Sequence, residues 1–484
     1  MGKPLSQLVQ RTFATDPQVV GVTADSRKVK PGFLFAALPG SKVDGNAFAV
    51  KAVAAGAVAV ISAEDLPDLG VQVIVTPDPR RTYALAAKAF WGAQPPVVIA
   101  VTGTNGKTSV AAFCRQIFNY AGKKAASMGT LGVRATGPGL DEQITPPGLT
   151  TPDAADVAEL MSVLVAKGVT HLAMEASSHG VDQRRLDGVD LVAAGFLNLT
   201  QDHLDYHHTM EAYRDAKLRL FEALLPRGGV AVLNADSDAY GAFAAAAVGS
   251  GQSVFSVGEA GQGLKLVEHT PTPDGQTLKV EAKGKTYEVR LPLAGAFQAS
   301  NVLVAAGLCI AAGEPVESVL AALATLEGAP GRMQRIGTGP KGGEAYVDYA
   351  HTPDGLETVL KSLRPHVDGK LIVVFGAGGD RDRAKRPLMG LAAAQHADVA
   401  IVTDDNPRSE VPAAIRAEIL AGAPGSREVG DRREAIRAGV ALLGPGDVLV
   451  VAGKGHEQGQ TVGSTVHPFD DVVEVAAALE AAHV

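Results

Sequence analysis

Cysteine is nearly absent from this sequence. Cys114 and Cys309 are the only two among 484 residues, too few for a disulfide framework and without the paired spacing of a zinc site. That usage fits a reducing compartment and two buried thiols. Positive charge is not in excess either. The net charge of −8 offers no overall basic field to a nucleic acid or an anionic membrane, so any anion site must be local. Long apolar runs are missing as well: runs such as that around Ala52 to Ile61 are too short to span a bilayer, and the first ten residues lack the apolar core of a signal peptide. A soluble, cytoplasmic chain without membrane insertion or nucleic-acid partner is expected. Short patterns at Gly2–Ser6 and Asn198–Thr200 formally fit lipidation and glycosylation signals, but such patterns recur by chance. No short-period repeat occurs, which excludes solenoids.

What is present is a globular mixture, 46% hydrophobic and 20% charged, with 55 glycines and 28 prolines marking many turns. At roughly 150 residues per domain the length corresponds to about three domains. Residues 1–94 alternate short strands (57–61, 71–75) with Ala-rich helical stretches and end in a helix-like run from Pro79 to Trp91. Gln94-Pro95-Pro96 then breaks the pattern. Strand candidates follow at 97–102, 171–174, 191–198 and 229–234, with helices between them, as in a mostly parallel sheet. Alternating strands between Gly251 and Leu293 suggest an antiparallel appendage before a helix at 300–312, and Gly328-Ala329-Pro330-Gly331 forms a second linker. The last third repeats the alternation, with strands at 345–348, 371–375, 399–403 and 447–451 running into polar loops. The expected fold is α/β with three domains: 1–94 for a substrate, 95–329 a central P-loop mononucleotide-binding domain with a mostly parallel sheet, and 330–484 a Rossmann-like C-terminal domain.

The firmest local signal is Gly103-Thr104-Asn105-Gly106-Lys107-Thr108-Ser109, between a strand-like run and a helix. The glycines let backbone N–H groups curl around phosphate oxygens. The helix start adds favourable potential, Lys107 supplies charge, and a hydroxyl of Thr108 or Ser109 can hold Mg²⁺. Strand before and helix after favour an ATP site over a glycine turn with a surface lysine. The loop is shorter than the general G-x₄-G-K-[ST] pattern, with two residues between its glycines and Val101 where the longer loop begins. A dinucleotide fingerprint at 373–379 fails, because Arg381 stands where its last glycine belongs. Glu175 closes an apolar run and His203 opens a loop after another. Both suit a metal ligand, and both also suit a strand-end charge or a solvated polar loop, as His207 and His208 do.

The short loop T-G-T-N-G-K-T resembles that of the Mur ligases, the ATP-dependent amide-forming enzymes of bacterial cell-wall precursor synthesis, and that of the related folylpolyglutamate synthetases. Further motifs are similar to the MurE type. These are Asp25-Ser26-Arg27, Thr150-Thr151-Pro152, the run from Met174 to Gly180, the run from Asn198 to His207, Val347 to Pro353, Gly376 to Asp382, Asp405-Asn406-Pro407-Arg408, and Gly453-Lys454-Gly455-His456-Glu457. They occur in family order across all three expected domains. Ser109, Ala176 and Gln201 depart from the usual residues without removing a required group.

The resemblance implies a ligase that adds the third stem-peptide amino acid to UDP-N-acetylmuramoyl-L-alanyl-D-glutamate through an acyl phosphate, in peptidoglycan synthesis, with the third domain swinging in. It implies ATP contacts at Gly103 to Ser109, Asn301, Arg332 and Asp348, with His351 a further candidate. UDP-substrate contacts are implied at Ser26, Ser41, Lys42, Val43, Thr150, Thr151, Ser177, Gln183 and Arg185. Arg184 is the alternative to Arg185 if the register slips. Metal contacts are implied at Thr108, Glu175, His203 and Lys217. By its own context Lys217 reads as an ordinary helix lysine; only the resemblance makes it a CO₂-derived carbamate that steadies a second Mg²⁺. Lys107, Lys217 and His203 form the implied catalytic set, and Arg381, Asp405, Asn406, Pro407, Arg408, Gly453 and Glu457 the amino-acid pocket. In the family D-N-P-R accompanies meso-diaminopimelate, with L-lysine or L-ornithine as the alternative amines. A folylpolyglutamate synthetase-like ligase and a P-loop ATPase switch are more distant alternatives. The partners are small molecules, and a monomer is expected.

Overall fold

The computed structural model describes residues 2–40, 45–66, 69–272 and 275–482. They fall into two compact units, Met1–Lys265 with Leu303–Val319, and Leu266–Val302 with Leu320–Val484. The chain passes between the units three times, within the strand Leu264–Thr272, the helix Ala296–Ala311 and the helix Val316–Ala322.

The first unit begins with a parallel four-stranded sheet in the order Gly21–Thr23, Phe33–Ala36, Ala59–Ser62, Gln72–Val75. The helix Pro79–Trp91 packs on it because its start and stop are written locally. Asp78 accepts from Arg81 N as N-cap, Pro79 sits in the first turn, and Gly92 ends the helix at φ 73°. Its face Tyr83, Ala84, Ala86 and Ala87 is buried, the spacing of an amphipathic helix.

The large sheet of this unit runs Leu140–Thr145, Gly132–Gly137, Ala125–Gly129, His171–Glu175, Val97–Thr102, Ala193–Phe196, Val230–Asn234, Ser253–Gly258. The last six are parallel. Val97–Thr102 lies between His171–Glu175 and Ala193–Phe196, so the segments after Thr102, Glu175 and Phe196 converge at the carboxyl ends of adjacent strands, where such sheets bind ligands. Two features differ from expectation. Ser253–Gly258 pairs parallel with Val230–Asn234 rather than joining an antiparallel appendage, and a hairpin at 132–145 adds two antiparallel strands at the other edge. The hairpin is half-exposed and polar, so it carries no apolar run to announce it. The helix Met210–Arg219 continues as one π turn, Leu220–Leu224. Cys114 and Cys309 are free and buried.

The second unit contains the antiparallel pair Gly275–Ala282 and Lys285–Leu291 and a six-stranded sheet ordered Gln334–Thr338, Glu344–Asp348, Val448–Ala452, Leu371–Phe375, Val399–Val402, Arg427–Glu428, parallel except for its first strand. Under it Arg432 and Asp471, both at 0% exposure, pair through two hydrogen bonds of 2.7 and 2.6 Å. Arg432 also donates to the carbonyl of Ala452, where a strand ends. Asp471→Ala should cost about 3–5 kcal/mol in urea unfolding followed by circular dichroism, because a buried guanidinium loses its counter-charge; a change under about 1 kcal/mol would contradict this account. No helix among the described residues is long and apolar enough to cross a membrane.

Candidate active site

The strand Val97–Thr102 runs into the glycine loop, and the helix Lys107–Tyr120 starts at Lys107 after Gly106 at φ 87°. The left-handed conformation at Gly106 suits a residue without a Cβ. Gly103 has a second reason to be glycine, since a Cβ there would lie 2.9 Å from that of Leu197. Lys107 arches back over the loop, its Nζ donating to the carbonyls of Gly103 and Thr104 at 2.8 Å each. The side chains of Thr108 and Ser109 are buried beneath it. Asn198 braces the loop from the neighbouring strand end: its Oδ1 accepts from the N–H of Thr104 (3.1 Å) and Asn105 (2.9 Å), and its Nδ2 donates to Asn105 O. Thr104 and Thr200 are joined by two more bonds. Asn198→Ala removes the side-chain acceptor from both amides and leaves Thr104 N–H only the backbone carbonyl of residue 198, at 3.0 Å. It should weaken ATP binding roughly tenfold by calorimetric titration; unchanged affinity would remove the bracing role.

Glu175 ends its strand at 2% exposure, accepting from the N–H (2.8 Å) and hydroxyl (3.3 Å) of Thr130. Gly129 makes room for it, since a Cβ there would sit 2.0 Å from Oε1. The Thr130 hydroxyl meets that of Thr150 at 3.0 Å. Thr151 donates to Glu175 O and contacts Ser177 Oγ, each at 2.9 Å, and Ser177 caps the helix Ser178–Asp182. Arg185 donates to Thr151 O (2.6 Å) and Gln183 Oε1 (2.7 Å). Thr150, Thr151, Ser177, Gln183 and Arg185 therefore line one patch beside Glu175. Arg184, the register alternative, instead pairs with Asp78 at 3.0 Å.

Lys217 is 1% exposed, donates to Gly103 O at 2.9 Å, and lies 4.3 Å from the centre of the Tyr213 ring. Burial, with the charge of Lys107 adding to it, holds its amine well below the usual lysine range. Tyr213 reaches the hydroxyl of Thr104 at 3.3 Å. His203, at φ 53°, stands 4.9 Å from the His179 ring and 6.1 Å from that of Tyr213, so it joins Lys217 through an aromatic cluster. Burial first, then the neighbouring imidazoles, pushes His179 down to about 4. His207 is buried against Ser178 Oγ at 3.0 Å, and His208 is exposed. Among the described residues no group of three or more His, Cys, Asp or Glu is placed to hold a metal ion. Thr108 and Glu175 supply buried hard oxygens, the donor type of Mg²⁺, which keeps water and phosphate oxygens for its remaining positions.

Ser26 lines a cavity of about 1170 Å³ in the first sheet, shared with Phe33, Phe48, Trp91 and Glu159. Asp25 beside it is held near 2 by its hydrogen bonds to Arg27. Ser41, Lys42 and Val43 lie outside the described residues.

In the second unit Asn301 is buried and donates to Gln298 Oε1 at 3.0 Å. Arg332 stacks 4.2 Å from the Tyr349 ring centre. Asp348 accepts from the N–H of Met333 and Ala350, both at 2.7 Å, and burial raises its carboxyl against the pull of Arg332. His351 is exposed and bonds the carbonyl of Tyr349. The loop 405–408 and the loop 453–457 interlock. Asn406 Nδ2 donates to Glu457 Oε2 at 2.9 Å, and a Cβ on Gly453 would lie 2.8 Å from Asp405 Oδ2. Arg408, half-buried at φ 51°, is fixed by backbone bonds to Thr461 and Gly463 and donates to Gly379 O at 2.7 Å. A Cβ built on Gly378 would lie 2.9 Å from Arg408 Nη1 and 3.9 Å from Arg381 Cγ, so both arginines border that glycine; the Arg381 side chain itself is exposed. Gly379 is needed because a Cβ would meet Pro407 O.

Sequence reasoning did not single out Asn198, Thr200, Tyr213, Thr130, His179 or Lys454. Asn198 and His179 stand inside recognised motifs; for Asn198 the available signal is a polar residue close behind an apolar strand, and His179 lies in the short helix that follows Glu175. Thr130 had none, since its role depends on a strand brought beside Glu175.

The comparisons with known proteins agree along the chain. Residues 18–91 match the profile described as Mur ligase family, catalytic domain, residues 101–309 the Mur ligase middle domain, and residues 331–455 the Mur ligase, glutamate ligase domain. A protein of Caulobacter vibrioides named UDP-N-acetylmuramoyl-L-alanyl-D-glutamate--2,6-diaminopimelate ligase is 71% identical, with 99% of each chain covered. One of the same name from Mesorhizobium japonicum is 54% identical over 97% of each. A solved structure of that name superimposes with a TM-score of 0.75 at 36% identity, covering 100% of both chains. MurF from Acinetobacter baumannii, at 20% identity, 99% coverage of each chain and a TM-score of 0.64, shares the fold.

Proposed function

The chain belongs to the Mur ligase family, and from that premise we propose that it joins meso-diaminopimelate to the D-glutamate of UDP-N-acetylmuramoyl-L-alanyl-D-glutamate. It is an ATP-dependent ligase of small molecules, and ligases of this family use Mg²⁺. The choice of amine rests on the bond between Asn406 and Glu457, which closes the loop carrying Arg408 onto the loop carrying a carboxylate. A guanidinium and a carboxylate on two interlocked loops suit an amino acid whose far end has both a carboxylate and an ammonium.

Transfer of the γ-phosphoryl group to the substrate carboxylate brings two anions together. Lys107 neutralises charge there while Asn198 holds the loop in shape. Thr108, Glu175, His203 and a carbamate on Lys217 would hold Mg²⁺, which would supply further charge stabilisation there. Arg185, Gln183, Ser177, Thr150 and Thr151 orient the UDP-dipeptide, the acyl donor, with Ser26 and the segment 41–43 on the UDP end. The ADP leaves an acyl phosphate, and the amine held by Asp405, Asn406, Pro407, Arg408, Gly453, Glu457 and Arg381 displaces phosphate. Asn301, Arg332 and Asp348 bind the nucleoside of ATP. We place the domain borders after residues 94 and 329, and read the enzyme as a cytoplasmic monomer without a membrane segment.

The test is ADP release and product mass with ATP, Mg²⁺, the UDP-dipeptide and each of diaminopimelate, L-lysine and L-ornithine. Activity only with an amine other than diaminopimelate would refute the assignment. Arg408→Ala should raise KM for diaminopimelate roughly 100-fold at unchanged KM for ATP.

A further inference from the structure

Lys454 carries no role in the reading above, yet it is at 0% exposure and holds the amino-acid pocket together. Its Nζ donates to Asn406 Oδ1 (3.2 Å), Glu457 Oε2 (3.1 Å) and the carbonyl of Gly459 (2.6 Å), which satisfies all three protons of the ammonium. The N–H of Thr461 joins it at Asn406 Oδ1 at 2.8 Å, so the carboxamide is held with its oxygen toward Lys454 and its Nδ2 toward Glu457. Both donors converge on Glu457 Oε2. Oε1 accepts no hydrogen bond among the described residues and is left for a ligand.

Charge gives the second half of the argument. The pocket read above holds Arg381 and Arg408 with Asp405 and Glu457, and Lys454, paired with Glu457, adds one further positive charge, while Arg432 is matched by Asp471. The far end of diaminopimelate carries a carboxylate and an ammonium and is neutral overall; that of L-lysine is a bare cation. Without Lys454 the set loses one positive charge, which shifts the balance toward the bare cation and away from the carboxylate.

We propose that Lys454 is a positioning residue that sets amine specificity: it aims Glu457 Oε1 at the substrate ammonium and balances the pocket in favour of a zwitterionic far end over a cationic one. This rests on the reading of Arg408 and Glu457 as the grip on that end.

The experiment compares full-length wild type, Lys454→Met and Lys454→Gln, the latter keeping a donor without the charge. KM for ATP, for the UDP-dipeptide and for diaminopimelate is measured with thermal midpoints, and kcat/KM is measured for diaminopimelate against L-lysine. KM for diaminopimelate should rise roughly 10- to 100-fold in Lys454→Met with the other two constants unchanged. The preference for diaminopimelate over lysine should fall at least roughly tenfold in both variants. If both keep the wild-type preference, or if all three constants rise together in the folded Gln variant, Lys454 is merely structural and the proposal falls. A wild type that releases no ADP with diaminopimelate would instead overturn the reading beneath it, and this proposal with it.

Discussion

Lys217→Met should lose roughly 100- to 1000-fold or more in kcat while folding normally. Methionine fills the space of a side chain that is 1% exposed, and removing an amine that burial pushes toward its neutral form deletes one hydrogen bond, to Gly103 O, and breaks no ion pair. A structural lysine would therefore tolerate the exchange. A lysine that serves as a carbamate would not, because two anionic oxygens near the phosphate loop disappear with it, a loss of the size seen when an electrostatic stabiliser is deleted. The lowered pKa has a direct chemical meaning: only the neutral amine attacks CO₂, and burial shifts the lysine toward that form, whereas acid protonates the amine and removes the nucleophile. Wild-type protein kept free of CO₂ should lose activity and regain it on adding bicarbonate, and an intact-protein mass should show the gain of one CO₂. Full activity of Lys217→Met would end the carbamate reading.

Lys107→Ala should lower kcat by roughly 1000-fold with a smaller effect on KM for ATP, because the ammonium is needed most as charge moves between phosphate and carboxylate. Its two bonds to Gly103 and Thr104 carbonyls show how it is stored: the head group is held over the loop by acceptors that a γ-phosphate outcompetes on charge. Lys107→Arg should not rescue, since a planar fork cannot take the position of a compact ammonium arched within one turn. Single-turnover phosphate release with saturating ATP checks this. A variant in which KM alone moves would show that the lysine binds ground state and transition state equally.

These two lysines differ in how far sequence could speak for them. Lys107 sits between glycines and a helix start, so strand, loop and helix are all visible within twenty residues. Lys217 lies in the helix Met210–Arg219, and nothing within that helix distinguishes it from a solvated lysine. Its burial depends on Gly103 and Tyr213 meeting around it. The same contrast separates Glu175, readable as the polar end of an apolar strand, from Thr130, whose two bonds to it arise only because Ala125–Gly129 pairs beside His171–Glu175. Ser253–Gly258 was readable as a strand but not in its direction, since alternation reports one buried face and not the partner.

By itself the chain of residues determined the glycine loop between strand and helix, the order of the motifs and the α/β alternation, all of which are encoded by neighbours a few positions apart. Tertiary structure alone decided that Asn198 braces the phosphate loop, that Arg184 is occupied by Asp78 while Arg185 turns to Thr151, and that Lys454 lies sealed beneath Glu457. Each of these depends on burial and hydrogen bonding between segments distant along the chain. A polar side chain does not reveal in its own sequence neighbourhood whether water or another strand will surround it.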